Sequence, residues 1–185
     1  MTYRFSSVAV AASLLVPWMA TAQPASRPFD RNSRIISVGI LTGGDYEGLG
    51  AGGSFEVGTY DFTPGLSLGL GGFAGFVRDD VNPVAFPAYT QTQIPIMAIG
   101  NIHLSFASQP KLDLYSGLSL GVVNVRTDYG SRTPPLGVEK SRSDSDLGVG
   151  VQIGARYFFT PNITGFGQLG ASKVPLLYTG FSFNF

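Results

Sequence analysis

The chain has 185 residues, enough for one domain, and its 12 Lys and Arg balance its 12 Asp and Glu, so the formal net charge is zero. That balance supplies no field for nucleic acid, and no nucleic-acid partner is expected. Cysteine is absent, which excludes disulfide staples, thiolate catalysis and cysteine metal sites. Charged residues are only 13% of the chain, against about a quarter in ordinary soluble domains, and 25 residues are glycine.

The N-terminus has the form of a signal peptide. Arg4 gives a positive start, 8–16 is an apolar stretch, and Ala20-Thr21-Ala22 is a small-x-small cleavage site. Residues 1–22 are therefore predicted to be removed. The apolar stretch is too short for a membrane anchor, and Pro17 interrupts it. No Cys follows the cleavage site, so no lipid anchor is expected. Residues 23–32 read as a short flexible lead-in, and 33–185 as the folded domain.

That domain divides into eight segments with period-2 alternation, the pattern of strands. The first, 33–43, places Ile36, Val38 and Ile40 on one face. The second, 48–60, places Leu49, Ala51, Phe55 and Val57 opposite Gly50, Gly52, Ser54, Glu56 and Gly58. The third, 65–77, alternates Leu66, Leu68, Leu70, Ala74 and Phe76 with Ser67, Gly69, Gly71 and Gly75. The fourth, 90–106, aligns Ile94, Ile96, Ala98, Ile102, Leu104 and Phe106; Pro95 cannot donate to a ladder, so a bulge or local irregularity is expected there. The fifth, 112–125, points Leu112, Leu114, Leu118, Leu120 and Val122 outward. The sixth sets Leu147, Val149, Val151, Ile153, Ala155, Tyr157 and Phe159 against Gly148, Gly150, Gln152, Gly154, Arg156 and Phe158. The seventh, 162–170, is short and ambiguous in its facing. The eighth is 176–185.

The connections alternate in length. Short turns rich in Pro, Asn and Ser fall at 61–64, 107–110 and 160–162, while 78–89 and 127–145 are longer and polar. Transmembrane barrels have short periplasmic turns and longer extracellular loops. An even strand count then places both termini in the periplasm. Most segments reach the roughly 9–11 residues that a tilted membrane strand needs, whereas strands of soluble proteins are usually about 5–6. Tyr60, Phe62, Phe106, Tyr157, Phe159, Phe183 and Phe185 collect near the short turns, as an interfacial girdle would. The fold expected is an all-β, eight-stranded, antiparallel up-and-down transmembrane barrel; a soluble β-sandwich is the alternative architecture. Lipid cannot hydrogen-bond a free sheet edge, which is why the sheet must close. An eight-stranded interior is just wide enough for side chains, and inward glycines would relieve crowding.

The last eight residues run Tyr178-Thr179-Gly180-Phe181-Ser182-Phe183-Asn184-Phe185. Tyr178, Gly180, Phe181, Phe183 and Phe185 resemble the C-terminal β-signal of outer-membrane barrels, with Tyr178 standing where a polar residue is usual. The resemblance implies recognition by the barrel-assembly machinery. The whole of 33–185 resembles the small eight-stranded outer-membrane barrels of the OmpA/OmpX-like class, at the level of pattern. It implies a bacterial outer-membrane location, outer-membrane lipid and lipopolysaccharide as surroundings, and a monomer. No further domain is expected after Phe185.

Parity places Glu56, His103, Asp113 and Arg156 on the inward face at similar depth. Charges in a narrow lumen must pair or meet water. The expectation is a polar plug in which Arg156 bonds Glu56 or Asp113 with His103 nearby, similar to the interior ion-pair gate of OmpA-type barrels; the alternative is separate groups in lumen water. His103-Leu104-Ser105 resembles the His-x-Ser arrangement of the outer-membrane lipid A deacylases. Here both residues point inward beside a short turn, whereas a lipid-modifying site must face lipid, so a lipid A-modifying enzyme is a remote alternative. Asp144 and Asp146 could touch a cation but lack a binding-loop spacing. No catalytic, cofactor or metal site is expected. The functional reading is a non-catalytic barrel with a structural or surface-interaction role through 78–89 and 127–145, of unassigned loop ligand; the alternative is a narrow channel or carrier for small solutes.

Overall fold

The computed structural model describes residues 28–42, 48–83, 87–106, 108–130, 133–135, 139–172 and 175–185. The predicted signal peptide and residues 23–27 lie outside them. Eight strands follow in chain order: β1 (Arg34–Thr42), β2 (Leu49–Thr63), β3 (Leu66–Val81), β4 (Tyr89–Phe106), β5 (Gln109–Asp128), β6 (Ser141–Phe158), β7 (Ile163–Ser172) and β8 (Leu177–Asn184). Each pairs antiparallel with its sequence neighbours, and β8 pairs with β1, so the sheet closes into a barrel.

Alternation decides what each wall presents. Ile36, Val38 and Ile40 on β1, Leu118, Leu120 and Val122 on β5, and Leu147, Val149, Val151 and Ile153 on β6 are all exposed. Their neighbours Ser37, Ser119 and Gln152 are buried. A wall that is apolar outside and polar inside inverts the soluble pattern, and hydrocarbon is the solvent that satisfies it. The seven aromatics of the expected girdle are exposed. They lie at the end of the barrel that holds the β2–β3, β4–β5 and β6–β7 turns and Phe185.

The strands differ in length. β5 has 20 residues and β4 and β6 have 18, whereas β1 has 9, β7 has 10 and β8 has 8. The expected loops at 78–89 and 127–145 are correspondingly shorter than the sequence indicates. β3 continues to Val81, β5 to Asp128, and β6 already begins at Ser141. From Ser141 to Asp146 every residue is exposed, so both faces are wet and the period-2 signal vanishes although the strand continues. One wall, β3 to β6, therefore stands taller than the rest. Its upper part carries exposed ion pairs Arg142–Asp144 at 2.8 Å and Arg126–Asp128 at 3.8 Å. Such pairs contribute only about 0–1 kcal/mol each.

Pro95 causes no bulge. The β3–β4 register runs through it unshifted, but the ladder skips between Ala74↔Ile96 and Val77↔Gln93. The β4–β5 side is continuous, with Pro95 opposite Val123, so the missing N–H falls on the β3 side. Register shifts occur instead at Gly58/Tyr60 and Asp61/Thr63, and at Ser105/Phe106, beside the turns. The β2–β3 turn is Pro64-Gly65, and Gly65 adopts φ 96°, the positive value that a type II turn needs at its second central residue.

Residues 28–32 correct the expectation of a flexible lead-in. Pro28 and Phe29 are buried, and residues 30–33 form a tight turn. In it Ser33 N donates to Asp30 O at 3.0 Å and Asn32 N donates to Asp30 Oδ1 at 2.8 Å. Gly58 N then donates to Ser33 O at 2.9 Å, extending the β1–β2 ladder by one step. The segment folds across the barrel mouth and sends the Phe29 ring inside.

Candidate functional site

Glu56 on β2, His103 on β4, Asp113 on β5 and Arg156 on β6 point into the lumen and meet there. Each is at most 3% exposed. Arg156 Nη2 donates to Glu56 Oε2, and Arg156 Nη1 lies 3.6 Å from Asp113 Oδ2. His103 bridges the carboxylates, with Nε2 2.7 Å from Glu56 Oε1 and Nδ1 2.9 Å from Asp113 Oδ2. An imidazole that faces acceptors at both nitrogens needs a proton on each, or one carboxyl must keep the proton. In either case the layer is neutral: two acids, one guanidinium and one proton shared between imidazole and carboxylates. That neutrality is what lets four ionisable groups occupy a dry interior.

Amides extend the network upward. Asn101 Nδ2 donates to Glu56 Oε1 at 2.9 Å, and Gln152 Nε2 donates to Asn101 Oδ1 at 2.7 Å. Tyr115 OH donates to Gln168 Oε1 at 3.1 Å, and its ring lies 4.6 Å from Arg156 Cζ. Gly154 makes room for that ring: a Cβ there would sit 2.3 Å from Tyr115 Cζ. Beyond the amides the lumen turns apolar. Leu41, Phe73, Val77, Met97, Ile99, Val123, Phe166 and Tyr178 form one buried cluster, with Phe166 and Tyr178 ring centroids 4.6 Å apart. Between the polar and apolar layers remains a cavity of about 20 Å³, room for one or two waters. Arg156 Nε and Nη1 and Ser119 Oγ have no hydrogen-bond partner among the described residues.

The sequence matches the model of the outer membrane protein beta-barrel domain over residues 8–171. The chain belongs to that family. It is a small eight-stranded outer-membrane barrel of the OmpA/OmpX-like class. Among solved structures, the N-terminal β-barrel domain of Pseudomonas aeruginosa OprF is similar at 17% identity and TM-score 0.50, covering 84% of this chain and 98% of that one. Ail, the attachment invasion locus protein of Yersinia pestis, is similar at 15% identity and TM-score 0.48, covering 83% and 95%. Among curated proteins no sequence matches.

In this outer-membrane barrel the C-terminal residues divide by parity. Phe181, Phe183 and Phe185 are exposed on the outer face, while Tyr178 points inward and Gly180 is half-buried. Gly180 is needed where it stands, since a Cβ would lie 2.1 Å from Val38 O. Tyr178 OH donates to Ser37 O at 3.2 Å, so the residue that departs from the usual end-signal pattern serves the interior. Ser105 lies inward, and its Oγ has no hydrogen-bond partner among the described residues. His103 is committed to carboxylates at both nitrogens, so the His-x-Ser motif forms no nucleophile–base pair. Asp144 pairs with Arg142 and does not join Asp146 in a cation site. Among the described residues no His, Asp and Glu cluster is arranged to hold a metal.

Sequence reasoning missed Asn101, Tyr115 and Phe29 as members of this interior, and it placed Gln152 on the inward face of β6 without joining it to the polar network. Asn101 and Tyr115 share inward parity with His103 and Asp113, two residues away, and that spacing is a signal that could have found them. Phe29 stands in no periodic segment. Its only trace is at Gly58 and Gly69, inward positions without a side chain.

Proposed function

We propose that this protein is a closed, non-catalytic outer-membrane barrel whose work is done at its surface. The observation that carries this reading is the filled lumen. A neutral ion-pair layer and an apolar layer lie one above the other, with space for one or two waters between them. An apolar layer of this kind offers no ligands to a hydrated ion, which disfavours a channel. The tall β3–β6 wall is the part available to partners. Beyond Gly150↔Ser172 the edge of β6 that faces β7 has no ladder partner among the described residues, and the chain segment 129–140 links β5 to β6 at that end. By this reading the tall end is extracellular and both termini are periplasmic. The barrel sits as a monomer in outer-membrane lipid beneath lipopolysaccharide, delivered by the assembly machinery through Phe181, Phe183 and Phe185.

The test is planar-bilayer recording of the purified barrel. Electrical silence is expected. Steady openings that change with Glu56→Ala would instead establish a narrow channel. Orientation is read separately, by protease treatment of intact cells: cleavage at the tall end, at 129–140 above all, is expected, and cleavage at the short turns would reverse the topology.

A further inference from the structure

The segment 28–33 is seated in a purpose-shaped socket. The Phe29 ring stacks on the His103 imidazole at 3.6 Å between centroids and 13° between planes. It packs with Ile35 and Phe158, all three buried, and Arg156 Cζ lies 6.0 Å from its centroid. Two glycines carve the notch. A Cβ at Gly58 would lie 1.8 Å from Asp30 O, and a Cβ at Gly69 would lie 2.4 Å from Glu56 Oε1 and 2.9 Å from Phe29 Cζ. The polar anchors are few: Arg31 N donates to Asp61 Oδ1 at 3.1 Å, and the buried Ser67 Oγ donates to Phe29 O at 3.5 Å. Apart from the Gly58–Ser33 ladder step, no backbone–backbone hydrogen bond ties the segment to the wall among the described residues.

The socket is therefore aromatic in shape, with the His103 imidazole on one face and the Arg156 guanidinium beyond it, while its occupant is held by one ring and a few polar contacts. An aromatic ring laid face to face on an imidazole, with a guanidinium beyond it, is held by stacking and by the attraction of that cation for its π-face. With one backbone–backbone bond to the wall, the segment can open more readily than the barrel, whose strands are tied along their length on both sides.

We propose that residues 28–33 form a releasable strap, and that the socket beneath Phe29 is a binding site for an aromatic side chain, filled by the chain's own ring until the strap lifts. The ligand class is a flexible peptide segment carrying an aromatic residue, approaching from the end of the barrel that holds the start of β1 and Phe185.

The chain lacks cysteine, so Ile35→Cys places one reporter thiol in the socket of the otherwise intact folded barrel. Labelling by a small methanethiosulfonate is followed by mass in micelles, with folding scored by heat-modifiable gel mobility. With the strap intact, slow labelling with a shallow urea dependence is expected, because little surface is exposed when the strap lifts. Adding Gly58→Ala, which denies Asp30 its seat, raises the rate at least tenfold. In a Phe29→Ala background the peptide acetyl-Pro-Phe-Asp-Arg-Asn-Ser-amide slows labelling, and the same peptide with Ala for Phe does not. Labelling of Ile35→Cys only along the steep global-unfolding slope overturns the releasable strap, and this arm decides even if Gly58→Ala fails to fold. Equal protection by both peptides, or by neither, overturns the aromatic site.

Discussion

Arg156 and Glu56, one hundred residues apart in the chain, share a hydrogen bond across the lumen and join β6 to β2. Each balances the other within a neutral four-group layer, and the consequences of removing them follow from counting charge. Glu56→Gln leaves an excess buried positive charge, and Arg156→Met an excess negative one. Each is expected to cost about 3–5 kcal/mol. The double substitution leaves the His103–Asp113 pair balanced. It is expected to cost less than the sum of the two by about 1–3 kcal/mol. Urea unfolding in micelles measures all three, and additive costs would refute the coupling.

The apolar layer makes a second prediction. Phe166→Ala is expected to cost about 3–5 kcal/mol through the cavity it leaves. Combined with Tyr178→Ala it removes two facing rings, and steady openings in planar bilayers are expected where the unaltered barrel is silent. A silent double variant would place the barrier elsewhere.

Depth in the membrane sets the third. Leu118 stands midway along the outward apolar row of β5 and is 64% exposed. Leu118→Arg is expected to destabilise by about 2–4 kcal/mol in lipid vesicles. Ser143→Arg, on the tall wall above the apolar row, is expected to change stability by less than about 1 kcal/mol. Equal effects at the two sites would contradict the assigned membrane band.

Turn stereochemistry gives the fourth. Gly65→Ala puts a Cβ on a residue at φ 96° and 2.5 Å from Ser105 O, and a loss of about 1–3 kcal/mol is expected. Ser172 holds φ 72° without being glycine, and Ser172→Gly is expected to stabilise by up to about 1 kcal/mol. Thermal unfolding distinguishes the signs.

The exposed aromatic row of β8 gives the fifth. Phe185→Ser is expected to lower the folded, heat-modifiable fraction in the outer membrane several-fold while leaving micelle-refolded barrel intact. A variant that fails equally in both settings would make Phe185 a matter of stability and not of recognition.

Much of this fold is legible in the sequence, for a physical reason. Hydrocarbon outside and a narrow polar lumen inside impose opposite demands on successive residues, so Leu147 to Phe159 reads as a strand on sight. The same parity exposes Glu56, His103, Asp113 and Arg156 as inward groups. It fails where either demand lapses. Ser141 to Asp146 extend above the apolar band with water on both faces, and nothing there alternates. Phe29 enters the lumen from a turn, and a single ring without a period leaves no pattern to read. At Pro95 the local irregularity is legible but its form is not: losing one N–H on one side of a strand interrupts a ladder without adding a residue to it.

The uneven strand lengths bear on how the chain folds. The hairpins of β4, β5 and β6 join the three longest strands through local contacts, while Ile35 must find Asn184 from the opposite end of the domain. Chain-entropy costs favour the tall wall as the early template and leave the seam of β1 and β8 until last. The seam joins two of the shortest strands, and its final backbone bond runs from Phe185 N to Arg34 O, one residue from Ser33 at the foot of the strap. The barrel thus finishes closing where its mouth is also covered, and a single late event completes both the wall and the plug.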